Sequence, residues 1–349
     1  LYRSDNSGGT WTKLYDQPAN QFYAIEIDHL QPQRLYGGTQ DNGTLRTPTG
    51  ATDDWERIFG GDGFVTIVDY TDSDVIYCEY QYGNLFKSTN GGFSFNSAMN
   101  GIGDDRSNWH TPYVMDPTNP QVLYFGTYRV YRTEDGADNW TLISDDLTNG
   151  DQGANLGTVT TLAVAPSSPT VVYAGTDDGN LWVYRPFNGQ WISIADGLPQ
   201  RWITRVAVDP TDHQIVYVTF SGLRWNEPIS HVYRSANGGF SWDAISADLP
   251  EAPVNAILVD PDHPEVLYVG TDVGVYYSLD TGASWHALGL GLPRSPVYDL
   301  KLHQPTRTLA AGTHGRSIFT ISVADIVSPA PDDRPAVAHG DGAAAPTAV

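Results

Sequence analysis

The stretch VYRSANGGFSWDAI, residues 232–245, decides the fold, because the chain says it again and again. Near copies are LYRSDNSGGTWTKL from residue 1, LFKSTNGGFSFNSA from 85, VYRTEDGADNWTLI from 130 and VYYSLDTGASWHAL from 275. LRTPTGATDDWERI from 45 and LWVYRPFNGQWISI from 181 are degenerate copies. The marker aromatics are Trp11, Trp55, Phe95, Trp140, Trp191, Trp242 and Trp285. Their separations run from 40 residues (Trp55 to Phe95) to 51 (Trp140 to Trp191). A period in the forties made of short strands predicts a β-propeller with one blade per repeat. Within the motif Ser235 can bond nearby backbone, Asn237 tolerates and caps a turn, Gly239 supplies positive φ, and Trp242 returns to the core. A pattern repeated in every blade reads as structure, not as an active site.

Each repeat divides into four strand-like pieces, A to D. The A pieces alternate or are wholly apolar: YAIEID (23–28), FVTIVD (64–69), TPYVMD (111–116), TTLAVA (160–165), TRVAVD (204–209), NAILVD (255–260) and YDLKLH (298–303). Pro- and Asp-rich reversals such as DPTNP and DPDHP follow, then B pieces such as RLYGGT and VLYVGT, the C piece of the opening motif, and D from the marker aromatic. Seven A and seven D pieces predict an all-β, seven-bladed propeller of four-stranded antiparallel blades over residues 1–325, closed by the chain termini. On that reading residues 8–14 supply the outer strand of the blade built from 296–323. One C piece is in excess, since SIFTIS (317–322) and LYRS (1–4) both suit the closing blade. The Pro/Ala-rich stretch 326–349 reads as a linker or disordered tail.

With Lys+Arg at 19 and Asp+Glu at 41, the formal charge is −22, which argues against a nucleic-acid partner. A lone cysteine, Cys78, permits no internal disulfide and reads as a small buried hydrophobe. No apolar run is long enough to span a membrane. The chain opens on LYRSD, without Met or signal peptide, as a mature, trimmed or partial chain of a longer protein would. HExxH, phosphate-loop and Gly-x-Ser-x-Gly patterns are absent, and DYTDSD (69–74) lacks the glycine and distal glutamate of a calcium loop, so it reads as an A–B turn. No cofactor and no metal are expected.

Because strands alternate in direction, the A–B turns and C–D motifs share one face. The D–A and B–C loops share the other, around the channel mouth, and functional loops sit on such a rim. After the B pieces that face carries Gln40, Asp41 and Asn42; Tyr82; Tyr128 and Arg129; Asp177 and Asp178; Arg224 and Trp225; Asp272; and His314 and Arg316. Before the A pieces it carries Asp62, then Arg106, Asn108, Trp109 and His110, then Arg201 and Trp202. Carboxylates, arginines and aromatics together suit a sugar ring or a peptide: stacking for the apolar face, forked donors for oxygens. Asp41 and Asp62 are the candidate catalytic pair. Gln40, Asn42, Tyr82, Arg106, Trp109, Arg129, Asp178, Arg201, Trp202 and Arg316 are the candidate ligand contacts. Asp177 and Asp272 recur in Gly-Thr-Asp and read as turn residues, and His314 reads as structural.

The opening motif resembles the Asp-box, or bacterial neuraminidase, repeat of sialidases, sortilin-type receptors and two-propeller glycosidases that cut xyloglucan. The resemblance runs through residue 323. GTQDNGT with GGDGF is similar to a pairing in large bacterial proteins of this repeat class labelled glycosyl hydrolase. The sialidase resemblance implies three arginines on a sialic acid carboxylate, a tyrosine nucleophile with its glutamate and an aspartic acid; the Arg-Ile-Pro start of that family is not found here. The xyloglucan-cleaving resemblance implies two carboxylates, one from each of two propellers. The expectation is a secreted or cell-surface propeller that binds a glycan or protein ligand, or serves as an assembly module, through the mouth face. The alternative is a glycoside hydrolase using Asp41 and Asp62.

Overall fold

Short β-branched and aromatic segments punctuated by glycine turns cannot bury both faces alone, so they stack as sheets around an axis. The computed structural model describes residues 2–13, 19–153, 156–187, 189–289, 291–326 and 347–348. Seven four-stranded antiparallel sheets form a seven-bladed propeller. The innermost strands, A, are Phe22–Ile27, Thr66–Asp69, Tyr113–Met115, Val159–Val164, Trp202–Val208, Val254–Val259 and Val297–His303 in blades 1 to 7. B, C and D follow outward; in blade 5 they are Val216–Ser221, His231–Ser235 and Asp243–Ala244.

The core lies between blades. Tyr36, Tyr77, Tyr124, Tyr173, Tyr217 and Tyr268 occupy the same place in strand B of blades 1 to 6 and are all buried. Cys78 is buried beside Tyr77, and burial pushes its thiol up to about 12. Strand A ends on an aspartate that folds the A–B turn: Asp209 Oδ1 accepts the amides of Thr211 (2.8 Å) and Asp212 (3.0 Å). DYTDSD makes such a turn, with Asp69 Oδ1 accepting from Thr71 N at 2.7 Å.

The opening stretch is a cross-linked turn. Ser235 Oγ accepts from the amides of Asn237 (3.2 Å) and Gly239 (2.8 Å), and Asn237 Oδ1 accepts from Ser241 N (3.0 Å). The set repeats at Ser88/Asn90, Thr133/Asp135 and Ser278/Asp280. The marker tryptophan then ties its blade to the one before. Trp140, Trp191, Trp242 and Trp285 donate Nε1–H to the carbonyls of Ala98, Ile143, Ile194 and Ile245, at 2.8 to 3.0 Å.

The ring shuts differently from the sequence expectation. Thr12–Lys13 does not complete the last blade: it pairs with Tyr2–Arg3 in a separate two-stranded hairpin. The excess C piece is therefore LYRS. Without A and B strands beneath it, Trp11 stays 62% exposed, whereas Trp285 is 4% exposed. The fourth strand of blade 7 is Thr347–Ala348, paired with Phe319–Thr320 of the Ser317–Ser322 strand. Residues 327–346 of the expected tail lie outside the described residues. Strand A of blade 7 packs on strand A of blade 1, and that seam carries charge: Asp299 Oδ2 accepts from Ile25 N (3.0 Å) and Lys301 pairs with Glu26 (3.1 Å).

Candidate functional site at the channel mouth

The seven A strands surround a central channel of about 750 Å³ that opens among the D–A and B–C loops. Five of them begin with the same irregularity, one extra residue facing two partners: Tyr23, Thr160, Thr204, Asn255 and Tyr298. Such a bulge re-aims a side chain. Three of the five are spent on the ring. Thr160 Oγ1, Thr204 Oγ1 and Asn255 Nδ2 donate to the carbonyls of Ile203, Val254 and Val297 in the next blade (2.6, 2.6 and 3.4 Å). Blades 1 and 7 place tyrosines there instead, and both line the channel.

Those tyrosines anchor an aromatic floor. Tyr23 stacks on Phe64 (4.7 Å) and leans on His314 (5.2 Å), which stacks on Tyr298 (4.8 Å). Phe64 stacks on His110 (5.5 Å) and meets the edge of Trp109 (5.7 Å), which meets Tyr82 (5.1 Å). Trp109 and Tyr82 keep about two fifths of their surface open to solvent. Burial in the channel wall, aided by the Arg205 charge, drops His110 to about 4, so the ring is neutral at physiological pH. His314 is lowered by burial as well.

Two carboxylates stand at the edge of this floor. Asp62 is buried, and its Oδ1 accepts the Asp41 amide at 2.6 Å. Asp41 is exposed and sits in the left-handed region (φ 64°), held there by that bond and by the turn between strands B and C of blade 1. Gly38 permits the arrangement. A Cβ there would stand 2.1 Å from the Phe64 carbonyl oxygen, so only glycine lets segment 62–64 cross blade 1. Burial raises the Tyr23 hydroxyl, Trp109 opposes that, and the negative charges of Asp62 and then Asp41 add to it.

The other predicted residues divide. Arg106 is engaged by Gly157 O (2.8 Å), Asp146 (2.8 Å) and Thr148 (3.0 Å), over the Tyr128 ring. Arg129 is bound to Asp105 by two hydrogen bonds (3.0 and 2.6 Å). Asp178 accepts from Asn149 N (2.7 Å) and Gln152 (3.0 Å) and folds a loop. Asp177 is a buried turn residue as expected, accepting from Gly157 N and Thr158 N at 3.0 Å. Asp272 accepts from Asn255 (2.9 Å) at the mouth. Gln40 lies beside Asp41, its amide bonded to Gln21 O (3.0 Å), and Asn42 donates to Gln40 O (3.1 Å). Arg316 is exposed on the B–C turn of blade 7.

Across the mouth, blade 5 builds a second cluster. Arg201 pairs with Glu227 (2.6 Å) and lies over Trp225 (5.1 Å). Arg224 lies against both Trp202 and Trp225, at 5.8 Å from each ring. Inside the channel Arg205 of blade 5 reaches Asp299 of blade 7 (3.0 Å). The sequence filter missed Tyr23, Phe64, Tyr298, Arg205 and Asp299 because it looked just outside strand A, and these lie within or immediately before it. The signal was available: two tyrosines where sister strands carry Thr or Asn.

No family model matches the chain. It is 24% identical over 302 residues to a xyloglucanase of Acetivibrio thermocellus, covering 70% of this chain and 35% of that protein. A xyloglucanase of Paenibacillus is 26% identical over 136 residues, 35% of this chain and 13% of that one. The chain thus spans about a third or less of the curated relatives it matches. Among solved structures, a GH74 xyloglucanase of Xanthomonas campestris superposes with a TM-score of 0.68 at 15% identity, over 92% of this chain and 54% of that one. YCF48 of Cyanidioschyzon merolae superposes with a TM-score of 0.61 at 14% identity, over 88% of this chain and 97% of that one. These structural likenesses concern the propeller fold.

Proposed function

We propose that this propeller is a glycoside-hydrolase-type domain that lays a polysaccharide chain across its mouth face, with Asp62 and Asp41 as its carboxylates. The observation that carries the reading is the juxtaposition of those two aspartates with a partly open aromatic floor of Tyr23, Trp109 and Tyr82. Sugar rings present an apolar face to aromatics and hydroxyls to carboxylates, and glycosidic cleavage needs a carboxylic acid and a carboxylate flanking the bond. Asp62 keeps one oxygen on the Asp41 amide, which fixes its orientation and leaves the second oxygen for substrate. The similarity to xyloglucanases supports a β-glucan of that kind as substrate, and an extracellular location goes with it. Where this chain forms one wall of a larger cleft, glycan binding is the property it carries alone.

Binding is therefore the first readout. Affinity electrophoresis in gels containing xyloglucan or β-glucan should retard the protein. Trp109→Ala should weaken retention by about 1 kcal/mol or more, as for an interface anchor. Asp62→Asn and Asp41→Asn should abolish any reducing-sugar release with melting nearly unchanged. A protein that binds no polysaccharide, neutral or acidic, or aspartate variants that hydrolyse normally, would sink the proposal. A second reading, a peptide-binding assembly module, is favoured by one observation: the propeller superposes on nearly the whole of YCF48, 97% of that chain, and one such structure holds a D1 peptide.

A further inference from the structure

Four arginines around the mouth are spent on carboxylates of the same chain. Arg106 pairs with Asp146, Arg129 with Asp105, Arg201 with Glu227 and Arg205 with Asp299. Arg224 is different. It is exposed, it borders the channel opening, and among the described residues no carboxylate or hydrogen-bond acceptor engages its guanidinium. Its neighbours are the rings of Trp202 and Trp225. What sets Arg224 apart from the other arginines of this face is that pair of indoles.

The loop that bears it is built to hold still. Leu223–Trp225 form a single 3-10 turn, with Trp225 N and Glu227 N donating to Gly222 O (2.8 and 3.1 Å) and Asn226 in the left-handed region at φ 55°. The Arg201–Glu227 ion pair ties the far side of the loop to the start of strand A. Two indoles lie beside the guanidinium, 5.8 Å from it, and its exposure leaves the N–H groups open to solvent. A guanidinium so placed loses little freedom when it grips a planar anion with two parallel hydrogen bonds. Arg316 and Arg294, in the loop leading into blade 7, are further exposed arginines on this face without a carboxylate partner among the described residues.

We infer that Arg224, beside Trp202 and Trp225, is a carboxylate-recognition site, and that the glycan this face takes carries uronic acid residues. The inference rests on the glycan reading above and refines its substrate class from neutral to acidic. Uronate fits better than a phosphate or sulfate ester because the flanking indoles offer sugar-stacking faces next to a fork suited to a flat two-oxygen group. The net negative charge of the protein would repel a polyanion at long range, so recognition is expected to be local and at close contact.

The test uses one oligosaccharide in two forms: an oligogalacturonide and the same chain with its carboxyls reduced to hydroxymethyl groups. Affinities are measured by calorimetry for the wild type, Arg224→Ala, Arg224→Lys and Arg57→Ala, the last an exposed arginine on the outer strand of blade 1. The wild type and Arg57→Ala should prefer the uronate form roughly tenfold or more, the scale of a lost charge-assisted pair. Arg224→Ala should erase the preference by weakening the uronate form alone, and Arg224→Lys should restore part of it. Melting should not change, since the side chain is exposed. Equal affinity for the two forms, or a preference that survives Arg224→Ala, overturns this inference and leaves the glycan reading standing. Failure of both forms, together with xyloglucan and β-glucan, overturns both. Arg224-dependent binding of an acidic peptide with no glycan binding overturns both in favour of the peptide reading.

Discussion

Asp260, at the end of strand A in blade 6, shows how much single residues carry in this ring. It is fully buried and gripped by both ends of the Arg307 guanidinium, which also reaches Asp262 at 2.9 Å. Burial, the largest single influence, would raise the Asp260 carboxyl, but the Arg307 hydrogen bond and charge together with the backbone amides of Asp262 and His263 outweigh it and hold the group below its usual range. A folded value below the unfolded one, ~3.9, means that this stabilisation is fully present above that pH and is lost as pH falls through the folded value. Arg307→Met should therefore cost ~3–5 kcal/mol near neutrality, because it leaves a buried carboxylate unpaired. The gap to the wild type should narrow below pH ~4, where Asp260 takes up a proton. Thermal melts of both proteins at pH 7, 4 and 3 check the sign. A constant gap would mean that Asp260 is not the group involved.

At the scale of elements, the N-terminal hairpin is the clearest case of local sequence outrunning its context. Ser4, Asn6, Gly8 and Thr10 make the same bonds as the turn at Ser235: Gly8 N to Ser4 Oγ at 2.7 Å and Thr10 N to Asn6 Oδ1 at 2.7 Å. The motif folds its own turn wherever it stands. It joins a blade when A and B strands lie beneath it, and here, among the described residues, Tyr2–Arg3 and Thr12–Lys13 pair only with each other. Deleting residues 1–13 should leave the protein monomeric and within about 0.5 kcal/mol of the parent, the range of changes away from packed features. Size-exclusion chromatography and urea unfolding would show it. Aggregation or a large loss of stability would restore these residues to the ring.

The whole molecule depends on one seam. Blades 1 and 7 meet through inner strands, and there the contact is ionic: Asp299 accepts from Ile25 N, from Leu300 N (3.1 Å) and from Arg205 of blade 5, while Lys301 meets Glu26. Blade 4 makes the corresponding contact with a neutral hydroxyl, Thr161 Oγ1 accepting from Val206 N at 3.2 Å. Burial raises Glu26, and the adjacent Lys301 charge opposes that rise. Asp299→Ala strips the seam of its acceptor and leaves Arg205 unpaired in the channel. The expected cost is ~3–5 kcal/mol in urea unfolding, with Asp299→Asn in between. An unchanged midpoint would show that the apolar packing of the seam closes the ring unaided.

Period, turn chemistry and strand alternation are local properties, so the repeat in VYRSANGGFSWDAI and its copies sufficed to predict seven four-stranded blades, the structural duty of the motif and the face on which unusual loops gather. Asp41 and Asp62 were legible as candidates for the same reason, as carboxylates in loops whose sister loops repeat a turn. Which loop residues are free was not legible. Arg106 and Arg129 face carboxylates that lie 40 and 24 residues away along the chain, and only the folded ring brings those partners within reach. The roles of Tyr23 and Tyr298 depend on a bulge, and a bulge exists only against a paired neighbour. Ring closure belonged to tertiary structure too: SIFTIS and LYRS carry equivalent strand-C signals, Thr347–Ala348 carries no repeat motif, and which segments pair in the closing blade depends on where they lie in space.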